Sequence, residues 1–456
     1  MKRTEKVKRW RLIKAIFLVV FCFFLYFFLS GKTDEVTRRV FSIFVFAGCF
    51  WAFEILPLYA TSLATILLLI FSLCFSPHLF STPISYHFFI SSFANPIIIL
   101  FLGGFTLSRV MNKYQLDQFL AHFFTRFFGN SPYCVLLGFM CTTAFFSMWI
   151  SNTATTAMML SMIRPILDQF DKNTPFKKGF LLSIPFGANI GGMGTPIGTP
   201  PNAIALGILE NNGVHISFLS WLTYTLPLLC VALLFTSLIL YFIFPPSQKN
   251  ISLKFSFEKK LNTKAKSAVI IILGIISLWL TSRWHSIPEP LVALLAIGLF
   301  ASFGYLTRTD FKKLEWDILI LMWGGFALGK GVHLSHMADW FVQALHFIEN
   351  PTVLIALLSL LSLLLSSFMS RTVAANVLLP LLLSIPHISA PQLIIPATLI
   401  SSFAMIFPIS TPPNAMAFSL GILRTSDMVK AGLPIALFGL LVILLSNQCI
   451  TTYMIN

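Results

Sequence analysis

Three short motifs each occur twice along the chain, in the same order and with nearly the same separation. The pairs are GGF at Gly103 and Gly324, the triplets Ser151-Asn152-Thr153 and Ser370-Arg371-Thr372, and GTPPNA at Gly198 with STPPNA at Ser410. The two copies lie 221, 219 and 212 residues apart, respectively. The second half of the chain therefore repeats the first. Because both triplets end apolar runs, their polar side chains must find partners or line a cavity.

Composition places these motifs in a membrane protein. Of the 456 residues, 57% are hydrophobic and only 10% are charged, and the mean hydropathy is +0.85, which leaves too little polar surface for a soluble globule. The excess of 31 Lys and Arg over 16 Asp and Glu lies in short clusters between apolar runs, as in membrane-protein loops and unlike a nucleic-acid-binding face. The seven cysteines form no CxxC pair, so neither a disulfide framework nor a zinc site is indicated.

The apolar runs predict the topology. A spanning helix needs roughly 20 apolar residues, and counting each triplet as the tip of a re-entrant hairpin gives about eleven crossings. The TPPNA motifs break two further helices, because proline lacks an amide donor and disfavours helical angles in the residue before it. We therefore predict an all-α polytopic membrane protein with about eleven transmembrane helices, two re-entrant hairpins and two broken helices.

Basic clusters set the orientation. With the N-terminus in the cytoplasm, the count places all but one of the strong clusters inside, as the positive-inside rule requires. The inside clusters are Arg109/Lys113/Arg126, Lys177/Lys178, the Lys249–Lys266 linker, Arg308/Lys312/Lys313 and Arg424/Lys430, and the exception is Lys32/Arg38/Arg39. The first GGF segment then runs inward and the second outward. The halves are two inverted repeats, an architecture of many secondary transporters.

The same count divides the chain into five segments. They are N-terminal scaffold helices in 1–87, a first repeat core with hairpin and broken helix in 88–244, a basic cytoplasmic linker in 245–266, second scaffold helices in 267–315, and a second repeat core in 316–456.

The broken elements bring helix ends towards the centre of the bilayer. Helix N-termini carry unpaired N–H groups and a partial positive charge, so they attract anions. Serine, threonine and asparagine side chains at the triplets add donors for carboxylate or sulfate oxygens. Unwound carbonyls near Gly198 to Pro200 can ligate sodium. The site therefore suits an anion together with one or more cations.

Two Ser-x-Thr hairpin tips and two TPPN breaks resemble the divalent anion/sodium symporter family, which includes bacterial and plastid dicarboxylate carriers, and the likeness covers nearly the whole chain. The resemblance implies a multi-pass protein of the inner (plasma) membrane and a homodimer with a fixed scaffold and an elevator-like moving domain. The implied cargo is a dicarboxylate, tricarboxylate or sulfate anion. It implies no partner other than this anion and the lipid bilayer, and no cofactor other than sodium.

The resemblance also implies roles for particular residues. In the first half, the triplet Ser151, Asn152 and Thr153 would contact both substrate and a first sodium ion, whose site is completed by Ser147 and by carbonyls near Thr199 and Pro200. In the second half, the substrate-binding positions are Ser370, Arg371, Thr372, Thr411, Pro412 and Asn414, with Ser366 and the Ser410 carbonyl at a second ion position.

Arg371 departs from the family pattern, which has asparagine there. A guanidinium cannot ligate sodium, and burying one without compensation costs about 3 kcal/mol on insertion scales. One interpretation is that Arg371 snorkels to the outer surface or pairs with an acid. The other is that it replaces the second sodium and pairs with a substrate carboxylate. An empty carrier would then have to move an uncompensated charge, which favours exchange and resembles the 2-oxoglutarate/malate translocator branch.

Several alternatives stay open. A sodium-coupled symporter of di- or tricarboxylates or sulfate fits the same motifs, and a channel also uses re-entrant loops. A sodium/proton-type antiporter would place intramembrane acids near the tips, and none stands beside either triplet in the sequence. The chain has no HExxH, no GxSxG and no paired intramembrane aspartates, so we do not expect an enzyme.

Overall fold

The computed structural model describes residues 2–31, 33–125, 129–171, 174–251, 262–343, 348–383, 385–386 and 388–450. Several residues that the sequence singled out lie outside these ranges, namely Lys32, Arg126 and the part of the basic linker in 252–261. Within the described ranges, all regular secondary structure is helical.

The helices follow one another with short connections. The first half contains α1 Lys2–Phe28, α2 Glu35–Ala52, α3 Leu58–Leu69, α4 His87–Ile90, α5 Pro96–Lys113, α6 Leu116–Thr125, α7 Pro132–Ser147, α8 Asn152–Leu167, α9 Pro175–Gly192, α10 Pro200–Asn211 and α11 Phe218–Ile243. The second half contains α12 Thr263–Leu280, α13 Ser282–His285, α14 Glu289–Ser302, α15 Arg308–Phe311, α16 Trp316–Leu334, α17 Met337–Gln343, α18 Pro351–Phe368, α19 Arg371–Leu382, α20 Ala390–Ile400, α21 Pro412–Ser419 and α22 Thr425–Ser446. A π-helical turn, Ile70–Cys74, extends α3.

The predicted all-α membrane fold is confirmed. In the described part of the chain, six helical runs are long and apolar enough to cross a membrane: His87–Lys113, Phe218–Ile243, Thr263–Leu280, Trp316–Leu334, Pro351–Phe368 and Thr425–Cys449. Shorter apolar helices are Ile13–Phe28, Leu58–Cys74, Pro132–Ser147, Glu289–Ser302, Arg371–Leu382 and Ala390–Phe403. The number of eleven crossings stays a prediction.

In each half of the chain, the helix that carries the GGF motif packs on a helix of the other half. α5 of the first half packs on α14 of the second, and α16 of the second half packs on α3 of the first. The first glycine of each GGF motif permits this approach. A Cβ added to Gly103 would lie 2.5 Å from Ala293 Cβ, and one added to Gly324 would lie 2.5 Å from Ser62 Cβ. The equivalent glycines therefore serve equivalent helix contacts.

The hairpins and broken helices also interlock. α7 and α8 pack on α9, as α18 and α19 pack on α20. α10, which follows the first break, contacts α19 of the second hairpin, and α21, which follows the second break, contacts α8 of the first hairpin. Each hairpin is thus held partly by the other half of the chain, which places both hairpin tips in one body of the structure.

The first helix break is closed by side chains. α9 ends at Gly192 and α10 begins at Pro200, as the sequence predicts. Asn202 Nδ2 donates to the carbonyls of Gly192 and Thr195 at 3.0 and 2.8 Å, and Trp221 Nε1 donates to the Met193 carbonyl at 3.0 Å. Carbonyls that the helix leaves unpaired therefore find donors inside the protein.

Arg109 and Lys113, which the sequence places in one basic cluster, both lie at the end of α5. Asp310 accepts bonds from Arg109 Nη2 at 2.9 Å and from Lys113 Nζ at 2.6 Å. Burial alone would raise the pKa of Asp310, but bonds from Lys113, Thr307 and Arg109 hold it well below its ordinary value of 3.8. This ion cluster therefore ties the end of α5 to α15, in the other half of the chain.

Candidate functional site

Both hairpin tips have the same uncapped geometry. Ser151 precedes α8 with φ −48° and ψ 132°, and Ser370 precedes α19 with φ −57° and ψ 132°. Neither serine hydroxyl caps its helix, although serine at this position commonly does so. By contrast, Ser131 and Ser217 cap α7 and α11. Both helix N-termini are therefore without a side-chain cap, which leaves their N–H groups available to an anion.

Asn152 holds the first tip closed around its own polar groups. The Ser147 hydroxyl donates to the Ala188 carbonyl at 2.8 Å, so its single proton is used and its oxygen must accept from Asn152. The Asn152 side-chain amide is therefore oriented with its nitrogen towards Ser147. In this orientation, Asn152 Nδ2 donates to Ser147 Oγ at 2.6 Å and to the Gly198 carbonyl at 3.0 Å. This orientation leaves Asn152 Oδ1 as an acceptor.

Arg371 fills that acceptor position from the other half of the chain. Its Nη2 donates to Asn152 Oδ1 at 2.9 Å, and only 7% of the residue is exposed. The Arg371 Nη1 atom is buried and has no partner among the described residues, and no ion pair of Arg371 occurs within them. The interpretation that Arg371 reaches the surface or pairs with an acid does not describe this structure. The Nη2 atom joins the two tips, and the Nη1 atom has no partner among the described residues.

The second tip lacks the closed cluster of the first. Ser366 stands 219 residues after Ser147 and is equally buried. Its hydroxyl has no partner among the described residues, because Arg371 extends towards the first tip instead of folding back as Asn152 does. The two tips thus share a backbone geometry but differ in their polar chemistry.

The second break is tied to α9. Thr411 precedes α21, and its hydroxyl accepts a hydrogen bond from the backbone N–H of Asn414 at 3.3 Å. Asn414 Nδ2 donates to the Phe407 carbonyl at 3.1 Å, and its Oδ1 accepts from Asn189 Nδ2 at 3.0 Å. Thr199, which precedes α10, is also buried but makes no side-chain cap. Pro200 and Pro412 each occupy the first turn of the following helix.

The two hairpins differ in exposure. Thr153 in the first tip is exposed, whereas its counterpart Thr372 is half-buried. Asn376 on α19 is fully buried against α16, where its Nδ2 donates to the Leu321 carbonyl at 3.4 Å. The face of α8 that carries Thr153 and Ala157 is open. The first hairpin thus exposes a threonine of its triplet that the second hairpin half-buries.

Sequence reasoning missed Glu315 as a neighbour of the first tip. Glu315 immediately precedes α16, and the Ser151 side chain, 164 positions earlier in the chain, lowers the pKa of its carboxyl. Burial raises the pKa of this carboxyl above 4.5, and Ser151 opposes the shift. The sequence places no acid beside either triplet, but the fold brings one to Ser151. No local pattern signals this contact.

A sodium ion does not fit the first tip as it is arranged here. Sodium would need the oxygens of Ser147, Asn152 and the Gly198 to Pro200 backbone, but Asn152 Oδ1 already accepts from the Arg371 guanidinium at 2.9 Å. A second cation at that oxygen would meet the charge of Arg371. Within the described residues, no cluster of three or more His, Cys, Asp and Glu side chains could hold a metal ion.

Comparisons with known proteins agree on a class. The family model described as "Citrate transporter" matches residues 48–392. The chain is 31% identical over 447 residues to the sodium-dependent dicarboxylate transporter SdcS of Staphylococcus aureus (strain USA300) and 29% identical to that of Staphylococcus saprophyticus, in each case covering 89% of this chain and 84% of the relative. It is 30% identical to an uncharacterised transporter of Schizosaccharomyces pombe, covering 94% of this chain and 51% of that protein.

A solved structure supports the fold. The Alcanivorax borkumensis YdaH transporter, described as having an unusual topology, superposes with a TM-score of 0.61 and 13% sequence identity. The superposition covers 87% of this chain and 99% of the other. At this identity the likeness concerns the fold alone.

Proposed function

Because the chain belongs to the citrate transporter family and is kin to the divalent anion/sodium symporters, as its motifs predict, we propose that it is a secondary transporter of dicarboxylates. The kinship rests on a family match to residues 48–392 and on 31% identity to a sodium-dependent dicarboxylate transporter along most of the chain. Such a role is that of a carrier and not of an enzyme. The anions that best fit the site are of the malate, succinate and 2-oxoglutarate type.

The observation that carries the substrate assignment is the buried Arg371. Its Nη1 is free while its Nη2 holds Asn152, so one carboxylate of a dianion can take the free nitrogen in a charge-assisted bond. The hydroxyls of Ser151 and Ser370, which cap no helix, supply further donors, together with Thr153 and Thr372. The neighbouring helix breaks at Thr199–Pro200 and Thr411–Pro412, together with Asn414, line the sides of the proposed substrate site.

Exchange follows from the charge of Arg371. An empty carrier would move this cation through the barrier without a counter-ion, whereas a loaded carrier would move it together with a carboxylate. The free-energy barrier is therefore lower for the loaded carrier than for the empty one. Uptake should accordingly require a counter-substrate for the return step. The guanidinium at Asn152 Oδ1 also stands in for a sodium ion at that oxygen.

We place this exchange in an elevator-like movement. The glycine contacts of α5 with α14 and of α16 with α3 suit a fixed scaffold, and the hairpins with their broken helices would move against it. A homodimer in the inner (plasma) membrane with a cytoplasmic N-terminus completes the proposal.

Sodium-coupled symport of di- or tricarboxylates or sulfate is the second candidate. It is favoured by the staphylococcal relatives, which are named as sodium-dependent dicarboxylate transporters, and sodium is accordingly a possible coupling ion. In that case the bond between Arg371 and Asn152 must open to release an oxygen for the ion. A sodium/proton-type antiport has less support, since the free cation of Arg371 calls for an anionic cargo.

Reconstitution in liposomes separates these mechanisms. Uptake of labelled succinate is measured with and without internal malate, in sodium and in potassium buffer. We expect uptake that requires internal malate and is indifferent to sodium. Sodium-dependent uptake into empty vesicles would instead establish symport.

Variants at Arg371 test the role of its charge. We expect Arg371→Asn to lose the strict need for internal malate and to gain sodium-dependent net uptake, because the charge is gone and Asn152 Oδ1 is free. The matched control is Arg308→Asn, at an exposed arginine of α15, which should behave as wild type. Unchanged dependence on counter-substrate in a folded Arg371→Asn protein would refute the charge argument.

A further inference from the structure

A groove lies open between the first three helices of the chain. α1 packs on α2 and α2 packs on α3, but no comparable packing joins α1 to α3 within the described residues. The space between these helices has a volume of about 640 Å³. Both α1 and α3 carry apolar stretches, Ile13–Phe28 and Leu58–Cys74, so the groove faces the region that the bilayer occupies.

Each of the three helices presents one stripe of side chains to the groove, at the three- and four-residue spacing of a helix face. The hydroxyls of Ser42 and Ser72 donate to the backbone carbonyls of Arg38 and Leu69, so their protons are already used. The lining is therefore almost wholly apolar, and an apolar cavity does not hold ordered water. The stripes are Val19, Cys22, Phe23 and Tyr26 on α1, Arg39, Ser42, Ile43 and Phe46 on α2, and Ala64, Leu67, Leu68 and Ser72 on α3 and its π-helical extension.

Arg39 stands at one end of the groove and is neutralised there by the protein itself. Its guanidinium donates to the Glu35 carboxylate and to the Ser72 carbonyl. Asp34, the other acid at the start of α2, accepts from the backbone N–H of Thr37 at 3.0 Å and from the Thr37 hydroxyl at 2.6 Å. Both acids at this end of the groove are thus engaged.

Arg38 lies at the same end but has no such partner. Its guanidinium carbon is 5.2 Å from the centre of the Tyr26 ring, on the wall of the groove. Its Nε atom is buried without a hydrogen-bond partner, and its side chain forms no ion pair within the described residues. A guanidinium binds phosphate through charge-assisted, often bidentate hydrogen bonds. Arg38 therefore offers an anion site beside the apolar lining.

We propose that the groove binds a phospholipid, with an acyl chain between the three stripes and the headgroup phosphate paired with Arg38. An apolar channel with an uncompensated cation at one end matches an apolar chain joined to an anionic group. The bound lipid fills the space between α1 and α3, which do not pack closely on each other, and so holds the first helix in place. This inference is independent of the anion that the protein carries.

The test is native mass spectrometry of the purified protein with added dioleoyl phosphatidylglycerol or dioleoylglycerol, which has the same chains but no phosphate. We expect the wild-type protein to retain phosphatidylglycerol at concentrations where it does not retain dioleoylglycerol. Equal retention of the two lipids would overturn the proposed phosphate contact.

Arg38→Gln tests the cation directly. It should weaken phosphatidylglycerol binding about fivefold, the usual contribution of one basic residue near lipid headgroups. The matched control is Arg308→Gln, at an exposed arginine of α15, which should leave binding unchanged. Equal weakening by both variants would indicate attraction by the overall charge of the protein and would overturn the site.

Filling the groove tests the position of the acyl chain. Ala64 is a half-buried residue on the α3 wall, and Ala64→Trp should reduce phosphatidylglycerol binding at least as strongly as Arg38→Gln. Ala301→Trp, at an exposed alanine of α14, is the control and should bind as wild type. Unchanged lipid binding in a folded Ala64→Trp protein would overturn the proposal. Dissociation of a dimer by this variant, without a change in lipid binding, would instead identify the groove as an interface between copies of the chain.

Thermal unfolding gives a second readout. Phosphatidylglycerol should raise the melting temperature of the wild-type protein more than that of Arg38→Gln, and equal increases would contradict the role of Arg38. A protein that binds phosphatidylglycerol as expected but carries no dicarboxylate would overturn the proposed function and leave this lipid site intact.

Discussion

The contact between α5 and α14 can be tested by adding a single methyl group. In Gly103→Ala, the new Cβ would lie 2.5 Å from Ala293 Cβ, 2.9 Å from its Cα and 3.3 Å from its carbonyl oxygen. Two of these are backbone atoms, so a side-chain rotation cannot relieve the clash. The helices must separate, and the substitution is expected to destabilise the folded protein.

The magnitude follows from two opposing effects. Overpacking of this kind costs about 1–3 kcal/mol, whereas replacing glycine by alanine inside a helix gains about 1 kcal/mol. Gly274→Ala in α12 isolates the second effect, because its Cβ would have nothing within 4 Å. The difference in unfolding free energy between the two variants should therefore equal the clash, about 1–3 kcal/mol.

The assay is thermal unfolding of the purified variants, followed by tryptophan fluorescence, together with succinate uptake. Gly103→Ala should melt several degrees below Gly274→Ala. Its apparent KM should equal that of wild type, because Gly103 contacts the proposed scaffold and not the tips. Equal melting temperatures would show that α5 and α14 are not held at this distance, and a changed KM would contradict a scaffold that is independent of the site.

Two other contacts give predictions of the same kind. Asp310→Asn should lower the melting temperature near neutral pH. The pKa of Asp310 is depressed below 3.8 in the folded protein, so the stabilisation is fully present above about pH 4 and is lost as the pH falls through the folded pKa. The melting temperatures of variant and wild type should therefore converge in acid. A difference in melting temperature that does not change with pH would refute the ion cluster. Ser147→Ala should cost about 1–3 kcal/mol, because it leaves a buried Asn152 donor without its partner. Ser366→Ala, which removes a buried hydroxyl with no partner among the described residues, should cost no stability, and equal losses in thermal melts would contradict the asymmetry of the tips.

The sequence predicts the breaks and tips because their causes are local. Proline at Pro200 and Pro412 removes amide donors wherever the chain goes, and helices begin at both residues. The first hairpin turns between Ser147 and Asn152, and the second between Phe368 and Arg371, which are the positions of the repeated triplets. Duplication makes such local signals stronger, since each motif is seen twice with one spacing.

Contacts between distant parts of the chain could not be predicted in the same way. Lys113 pairs with Asp310, which lies 197 residues away in the chain. Glu315 approaches Ser151 only because the two halves interlock, and no spacing or periodicity links their positions. A search of the sequence for acids beside the triplets therefore finds none, although the folded tip has one.

Arg371 shows how one substitution in a duplicated chain changes both copies of a site. Asparagine at Asn152 folds back on its own tip and bonds Ser147, whereas the longer arginine crosses to the other half and leaves Ser366 without a partner. The first tip loses an oxygen that could ligate a cation, and the second gains a cation that cannot leave. Under the proposed function, a bound ion can move down its concentration gradient and drive net uptake. A covalently attached charge moves back with the protein in every cycle, so no ion gradient is coupled to transport through it. A carrier with this site is thus left with the gradients of its anions, and exchange of one dicarboxylate for another is the transport that these gradients can drive.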